Sequence, residues 1–476
     1  MAFVKTKDIV EVSFMNDILD KPGEYCGIVG IYGDDDAAFN AYLCLHSLQH
    51  RGQESAGIAS SDGEKVRKKL GMGLVSDIFN EDIINELKGH IAIGHNRYST
   101  TGESAVLNVQ PIVIKHKEGL LGIGHNGNLS NSKSLRNALE DRGSIFQTTT
   151  DSEVLLHLIA KSLEDSIIDK IKDAVRQIKG AFSLVMLTRN KLIVLRDPHG
   201  FRPLALGKLG NAYVAVSETS ALDLIGAQYI RDVACGEMIV FDKNGMKSYF
   251  PFEKCEPAHC VFEFVYFSKP DSQIFGEYVD KTRRKLGKNL ALESDIEADI
   301  VISVPDSSNT AALGYAARSG AKFELGLIRN HYVGRTFIKP TQESRSTGVR
   351  LKFNTVGGVL KDRRVILVDD SIVRGTTIRQ LVNLVRKAGA KEVHVRISSP
   401  PITNPCFYGM NFPTHEELIA NKKTVEEIRK FLGADSLAYL SLDGMLSAMP
   451  KEQGQNYCTA CFSGKYPVPV DDLKIK

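Results

Sequence analysis

The pattern of apolar and polar positions along the chain changes near residue 255. Before it, short apolar segments separated by Gly-containing turns predict strands at 27–33, 90–95, 120–125, 181–187 and 191–196. The 3.6-residue periodicity predicts helices at 38–50 and 153–162. Segments of this kind are typical of antiparallel sheets, so the first part of the chain is predicted to be a strand-rich α+β domain.

From about residue 276 onward, apolar strands alternate with helical segments. The pattern predicts helices at 278–291, 309–319 and from 378, and strands at 299–304, 323–328, from 365 and at 392–398. This alternation favours a doubly wound parallel sheet. A helical segment at 414–432 and a pair of cysteines follow it.

Length and composition fit this two-domain division. A chain of 476 residues with 43% hydrophobic and 25% charged residues is longer than one compact core requires. The net charge of +3 gives no support for a nucleic-acid partner. No apolar stretch reaches the ~20 residues that span a bilayer, and the first 25 residues hold three Lys and five Asp/Glu, unlike a signal peptide. We therefore expect a cytoplasmic protein without a membrane partner, whose eight cysteines are not in disulfides.

Residues 365–377 read V-I-L-V-D-D-S-I-V-R-G-T-T and predict a buried strand that ends in a phosphate-binding turn. Ligands bind at the carboxyl end of such strands, where Asp369 and Asp370 can hold Mg²⁺ and ribose hydroxyls. The lysine of a Walker loop is absent from this string. A solvated Asp-Asp turn is the alternative reading. The whole string resembles the 5-phosphoribosyl-1-pyrophosphate (PRPP) loop of type I phosphoribosyltransferases, and the resemblance implies PRPP contacts from Asp369, Asp370, Ser371, Arg374, Gly375, Thr376 and Thr377.

A basic segment precedes this loop. Between residues 329 and 364 there are nine Lys/Arg and two Asp/Glu. Such a run is often a solvated face, but its position favours a loop that faces a polyanion.

Cys26 opens the first predicted strand and is followed by four short motifs. They are L-Q-H-R-G-Q at 48–53, G-H-N-R-Y-S at 94–99, G-H-N-G-N at 124–128 and T-T-D-S-E at 149–153. Taken alone, Cys26 can be an ordinary buried thiol, and each motif can be a turn or a helix N-cap. In this order they resemble the N-terminal-nucleophile glutamine amidotransferases, and the resemblance implies a Cys26 nucleophile, an Asn126 and Gly127 oxyanion hole, and a glutamine pocket formed by Arg51, Arg97 and Asp151.

With both sets of motifs, the chain resembles the amidophosphoribosyltransferase family. Further strings that carry the resemblance are F-E-F-V-Y-F-S-K-P-D at 262–271, R-N-H-Y-V-G-R at 329–335 and N-P-C-F-Y-G at 404–409. It implies transfer of ammonia from L-glutamine to C1 of PRPP, the first committed step of purine synthesis. The expected fold is a four-layer αββα N-terminal-nucleophile hydrolase domain at 26–254, then an α/β type I phosphoribosyltransferase domain with a parallel sheet at 255–420. A propeptide at 1–25 that is removed on maturation and a helical tail at 421–476 complete the expected division.

The same resemblance implies cofactors and partners. Ser307, in V-P-D-S at 304–307, joins Asp369 and Asp370 as a ligand of one Mg²⁺ per subunit, while Arg335 and Lys352 contact pyrophosphate from a loop that closes over PRPP. Four cysteines, Cys260, Cys406, Cys458 and Cys461, match the ligands of one [4Fe–4S] cluster per subunit in the leader-containing subgroup. Ligand count alone also allows zinc. A homotetramer inhibited by purine nucleotides is implied as well.

Three other functions compete with this one. A nucleobase salvage phosphoribosyltransferase would not need Cys26 and the glutamine motifs. A non-enzymatic PRPP-sensing regulator would not need both Cys26 and the Asp369-Asp370 pair, and no DNA-binding helical module is evident in the sequence. A glutamine-dependent sugar-phosphate isomerase would share the front domain but not the D-D-S-I-V-R-G-T-T string.

Overall fold

The structure is a computed structural model that describes residues 26–98, 104–117, 119–294, 296–330, 352–410, 414–450 and 456–470. Within these residues the first domain contains two antiparallel sheets. The first sheet has the strand order β11-β9-β10-β1-β4-β2-β3 and the second β13-β12-β8-β7-β6-β5. The strands are β1 Gly27–Tyr32, β2 Ser55–Ser61, β3 Val66–Met72, β4 Ile91–Arg97, β5 Ile112–His116, β6 Gly119–Leu129, β7 Gly180–Leu187, β8 Leu192–Arg196, β9 Ala205–Leu209, β10 Ala212–Val216, β11 Gln228–Asp232, β12 Met238–Asp242 and β13 Gly245–Tyr249.

Helices cover the outer face of each sheet. They are α1 Ala37–Ser47, α2 Val75–Ile78, α3 Glu81–Glu86, α4 Ser132–Glu140, α5 Ser152–Lys161, α6 Ile167–Val175 and α7 Ser220–Ile225. The alternation along β1 shows how the layers form: Val29 and Ile31 pack in the core under α1 and α7, whereas Ile28 packs in the core between the two sheets. A third core lies between the second sheet and α4–α6. The predicted αββα arrangement of four layers is confirmed.

The second domain is built on a parallel sheet with the order β18-β17-β21-β22-β23. Its strands are β17 Ile300–Ser303, β18 Lys322–Phe323, β21 Arg364–Asp369, β22 Glu392–Ile397 and β23 Ser436–Tyr439, and the shorter strands are β14 His259–Cys260, β15 Gln273–Ile274, β16 Glu277–Tyr278, β19 Leu327–Arg329, β20 Phe353–Thr355 and β24 Tyr457–Cys458. The helices are α8 Val279–Glu293, α9 Asn309–Ser319, α10 Gly357–Leu360, α11 Thr376–Lys387, α12 Ile419–Lys422, α13 Val425–Leu432, α14 Leu442–Ala448 and α15 Ala460–Ser463. The predicted parallel sheet is confirmed.

Two details of the second domain differ from the sequence predictions. The strand predicted at 323–328 is two strands: β18 belongs to the parallel sheet, while β19 pairs antiparallel with β20 in a separate ladder. The parallel sheet also continues past the expected boundary at residue 420, because β23 pairs with β22. Residues 436–439 therefore belong to the sheet and not to a separate tail.

Across the described ranges, no helix combines the length and the apolar composition needed to cross a membrane.

Candidate active sites

Cys26 lies immediately before β1 and is buried. Its thiol lies 3.7 Å from the carbonyl of Tyr98, because β1 and β4 pair antiparallel with Gly27 opposite Asn96. Burial raises the pKa of the Cys26 thiol to about 11, although the Tyr98 carbonyl contact and the charge of Arg97 act in the opposite direction. A thiol in this state is a poor nucleophile at neutral pH unless a base takes its proton.

Asn126 and Gly127 lie next to each other on β6. The side chain of Asn126 is fully buried, and neither atom of its amide has a hydrogen-bond partner in the part of the chain that the structure describes. Buried amides normally have partners, so this group is available to a ligand. Gly127 has φ +148, and a Cβ there would lie 2.0 Å from the carbonyl oxygen of Ala181, so no side chain fits beside Asn126. These are properties expected of an oxyanion hole.

Asp151 and Arg97 are buried near Cys26. Asp151 accepts hydrogen bonds from the Leu129 amide at 2.8 Å and from the Ser152 hydroxyl at 3.2 Å. Burial on its own would raise the pKa of Asp151, but His125 and these two donors lower it overall, so the carboxylate is charged at neutral pH. Both Arg97 and Asp151 act electrostatically on the Cys26 thiol. The structure thus brings the predicted carboxylate-binding and ammonium-binding groups to the predicted nucleophile.

Arg51 has a different role from the predicted one. Its guanidinium is buried and pairs with Glu218, with Glu263 at 2.6 Å, and with the Ser268 hydroxyl at 3.0 Å. The side chain cannot bind glutamine without breaking these ion pairs. We therefore correct the assignment of the Arg51 side chain from the glutamine pocket to the junction between the two domains.

Asp369 and Asp370 lie at the carboxyl end of β21 and are buried. The neighbouring loop after β17 reaches both of them: Ser307 donates to Oδ2 of Asp370 at 2.6 Å, and Ser308 donates to Oδ1 of Asp369 at 3.0 Å. Ser308 was missed by the sequence analysis, although it directly follows the predicted Ser307. Two carboxylates and a hydroxyl at one strand edge are a hard-oxygen set that fits Mg²⁺.

The turn after these carboxylates leads into α11. The Ser371 hydroxyl donates to Oδ1 of Asp370 at 2.6 Å. Gly375 has φ +82 and is the residue before the first turn of α11, which contains Thr376 and Thr377. The backbone N–H groups of this turn can therefore bind a phosphate. The side chain of Arg374 pairs instead with Glu417 at 2.7 Å.

Of the two residues predicted to contact pyrophosphate, Lys352 is among the described residues. The carbonyl of Lys352 accepts a hydrogen bond from the Asn330 amide at 2.8 Å, beside the β19–β20 ladder. Arg335 lies outside the described residues.

The four predicted cluster cysteines line one cavity. Cys260 and Cys458 are opposite each other in the β14–β24 ladder, and the Thr403 and Asn404 amides donate to the carbonyl of Cys461. Burial raises the pKa of all four thiols, that of Cys260 to about 11. Three buried cysteines and the half-buried Cys406, none of them in a disulfide, fit a metal centre, since a cation is needed to make thiols with raised pKa values ionise.

The remaining cysteines lie elsewhere. Cys44 is buried in α1 and its thiol contacts the carbonyl of Ala221, while Cys255 contacts the carbonyl of Glu253. Neither these two nor Cys235 lines the four-cysteine cavity. In the described residues, no three His, Cys, Asp or Glu side chains already surround a common point as ligands of a single ion would.

Known proteins resemble this chain over nearly its whole length. A family profile described as "Glutamine amidotransferase domain" matches residues 95–224. Amidophosphoribosyltransferase 1, chloroplastic, from Arabidopsis thaliana is 53% identical over 96% of this chain and 81% of its own length. Amidophosphoribosyltransferase from Bacillus subtilis is 49% identical over 94% of this chain and 95% of its own length.

Solved structures agree with these relatives. The B. subtilis glutamine PRPP amidotransferase complexed with ADP and GMP has a TM-score of 0.90 and 49% identity, covering 94% of this chain and 99% of its own. A structure described as the allosteric regulatory enzyme of purine biosynthesis has the same TM-score and identity, and covers 97% of its own chain. On this evidence the chain belongs to the amidophosphoribosyltransferase family.

Proposed function

We propose a division of roles within an enzyme that transfers ammonia from L-glutamine to C1 of PRPP. The products are 5-phospho-β-D-ribosylamine, glutamate and pyrophosphate, and the reaction is the first committed step of purine synthesis. The observation that carries this division is the fully buried amide of Asn126, which has no hydrogen-bond partner among the described residues, in a chain whose other domain presents Asp369 and Asp370. One domain releases ammonia and the other receives it.

In the first domain, Cys26 attacks the glutamine carboxamide. Removal of residues 1–25 would give Cys26 a free α-amino group with a pKa of ~8, which can accept the thiol proton. Asn126 and the Gly127 N–H then donate to the oxygen on which charge develops. Arg97 binds the α-carboxylate of glutamine and Asp151 its α-ammonium group. Collapse of the tetrahedral adduct breaks the C–N bond, releases ammonia and leaves a thioester on Cys26. Water then hydrolyses the thioester to glutamate and the free thiol.

In the second domain, Ser307, Asp369 and Asp370 would hold Mg²⁺, which neutralises charge on the pyrophosphate as it leaves. The N–H groups of Ser371 through Thr377 bind the 5-phosphate at the start of α11. Arg335 and Lys352 contact pyrophosphate from the segment between β19 and β20. Ammonia attacks C1 in a site that excludes water, so catalysis here depends on positioning and charge neutralisation.

For the four-cysteine cavity we propose a [4Fe–4S] cluster rather than zinc. Four thiols that line one cavity fit either group on ligand count. The match of the four cysteine positions to the iron–sulfur subgroup favours the cluster. The cluster would join β24 and α15 to β14 and to the segment that contains Cys406.

We extend the proposal to assembly and regulation. The B. subtilis relative has been solved with ADP and GMP, which supports inhibition of this enzyme by purine nucleotides. A homotetramer and a cytoplasmic location remain predictions of the sequence analysis.

The proposal is tested by assaying purified protein for pyrophosphate release that requires both glutamine and PRPP. Intact mass and iron and sulfide content are measured on the same sample. We expect a chain that begins at Cys26 and contains about four iron and four sulfide per subunit. Cys458→Ser should lose the iron, while the matched variant Cys255→Ser should keep it. An active chain that begins at Met1, or iron-free protein with bound zinc, would refute the maturation or the cluster respectively.

A further inference from the structure

A short segment of the second domain, residues 407–409, lies against the strand that carries the proposed oxyanion hole. Asn128, on β6, donates through Nδ2 to the carbonyl of Phe407 at 2.9 Å, although 279 positions separate the two residues. Each belongs to a motif of the sequence, G-H-N-G-N at 124–128 and N-P-C-F-Y-G at 404–409. Of the second motif, only Cys406 has a role in the proposed function.

Gly409, in the same segment, lies in close contact with the backbone of Gly127. A Cβ on Gly409 would lie 3.0 Å from the carbonyl carbon of Gly127 and 3.2 Å from both its Cα and its carbonyl oxygen. Gly409 also has φ +104, a backbone conformation that residues with a side chain rarely adopt. The conformation and the lack of space therefore each require glycine at this position.

Gly127 is confined from within the first domain as well. It lies on β6 beside β7, and a Cβ on Gly127 would lie 2.0 Å from the carbonyl oxygen of Ala181 and 3.0 Å from Nε2 of His125. The first domain thus leaves no room beside Gly127 in that direction, and Gly409 of the second domain occupies space at its carbonyl group. Both domains therefore determine where the backbone of Gly127 lies.

Tyr408 anchors the 407–409 segment and is buried. Its hydroxyl donates to the carbonyl of Val468 at 2.6 Å and accepts from the Val468 amide at 2.9 Å. Its ring stacks on Phe201 with the centroids 4.5 Å apart, and its carbonyl accepts from Arg202 at 2.6 Å. These contacts fix the segment in one position, because breaking one of the hydrogen bonds would leave a buried polar group without a partner.

We infer that Gly409 of the second domain is a positioning residue for the oxyanion hole of the first. Its backbone packs against Gly127, and the hydrogen bond from Asn128 to the carbonyl of Phe407 holds the next residue of β6. The Gly127 N–H thereby keeps the position from which it donates to the developing charge, and such donors stabilise a transition state only when they are preorganised. This inference rests on the proposed function, because it requires Gly127 to be an oxyanion donor.

The test is the steady-state kinetics of Gly409→Ala, with the melting temperature and metal content measured on the same protein. The added methyl group must displace Gly127 or Gly409. We expect kcat for glutamine hydrolysis to fall by about tenfold or more, a part of the loss of about 10²–10³-fold that removal of an oxyanion donor causes. The KM for glutamine and the rate of the ammonia-dependent reaction with PRPP should stay near the parent values.

Gly433→Ala is the matched control for the backbone conformation. Gly433 also has a positive φ, +72, but no described atom lies within 4 Å of its Cβ position. The substitution should therefore lower the melting temperature, because it strains the backbone, and leave kcat for glutamine hydrolysis unchanged.

A second pair of variants tests the same contact without changing a glycine. Asn128→Ala removes the hydrogen bond to the carbonyl of Phe407 in the second domain and should lower kcat for glutamine hydrolysis several-fold. Asn131→Ala is its control. It removes hydrogen bonds to the carbonyl of Gln177 and from the amide of Lys179, both in the first domain, and should leave kcat near the parent value.

The inference is overturned if folded Gly409→Ala keeps the parent kcat for glutamine hydrolysis, if Gly433→Ala lowers it equally, or if the ammonia-dependent rate falls in parallel. If Gly409→Ala does not fold, the same three criteria apply to Asn128→Ala and its control. A parent protein that does not hydrolyse glutamine, or an Asn126→Ala protein that hydrolyses it at the parent rate, would instead refute the proposed function.

Discussion

The hydroxyl of Ser307 donates to Oδ2 of Asp370 at 2.6 Å, although 63 positions separate the two residues in sequence. The contact joins the loops that follow β17 and β21, which are neighbours in the parallel sheet. Ser308 makes the equivalent contact with Asp369 at 3.0 Å. The carboxyl ends of adjacent parallel strands are where ligands bind in such sheets, so this pair marks the edge of the sheet where we propose that PRPP and Mg²⁺ bind.

Replacing Asp370 should therefore impair the transfer of ammonia to PRPP, whether the ammonia comes from glutamine or from solution. We expect Asp370→Asn to lower the rate of pyrophosphate release by about 100-fold or more, with glutamine and with free ammonia alike, because several kcal/mol of charge stabilisation are lost. Asp299→Asn, a change at the opposite end of β17, is the control and should keep the parent rates. An Asp370→Asn protein with an unchanged melting temperature and near-parent rates would show that this carboxylate is not part of the site.

The Asn126 amide, which has no hydrogen-bond partner among the described residues, leads to a prediction for glutamine hydrolysis. Asn126→Ala should lower kcat for glutamine hydrolysis by about 10²–10³-fold and change KM little, because the lost donor acts on charge that develops in the transition state. Asn131→Ala is a suitable control. That amide is bonded to the Gln177 carbonyl and the Lys179 amide, so its loss should lower the melting temperature and leave kcat near the parent value. A large rise in KM for Asn126→Ala without a fall in kcat would contradict the oxyanion role.

The raised pKa of Cys26 predicts how its reactivity depends on pH. In the uncleaved chain a pKa of about 11 leaves roughly 0.1% thiolate at pH 8, and this fraction grows about tenfold for each pH unit. Alkylation of Cys26 by iodoacetamide, followed by mass spectrometry, should therefore rise steadily from pH 7 towards pH 11. The matured chain should react much faster at pH 8 because its α-amino group accepts the proton. Equal rates for the two forms at pH 8 would refute this account of activation.

Candidate site residues could be named from the sequence most readily where the chemistry lies in one continuous string. The turn from Asp369 to Thr377 and the pair Asn126 and Gly127 needed no tertiary information. Arg51 was misassigned because its partners Glu218 and Glu263 lie more than 160 positions away in sequence. Its motif gave no sign that these partners would bind the side chain.

The sequence analysis also missed the break between β18 and β19 and the edge strand β23 of the second domain. Gly326 packs against Ile302 so tightly that a Cβ would lie 2.7 Å away, and this close approach lies between β18 and β19. The chain therefore does not continue as one strand from 323 to 328. The strand β23 has four half-buried residues and lies at the sheet edge. Such a short strand has too little alternation to be recognised from its pattern.

The separation of two centres in one chain is tested most directly with Cys26→Ala. Pyrophosphate release from PRPP is measured with glutamine and, separately, with ammonium chloride at a pH that supplies free ammonia. Cys44→Ala, at a buried cysteine whose thiol contacts the Ala221 carbonyl, is the control and should keep both activities. The account predicts that Cys26→Ala loses the glutamine-dependent reaction and keeps the ammonia-dependent rate near that of the parent. Loss of both activities in a Cys26→Ala protein that retains the parent melting temperature would contradict it.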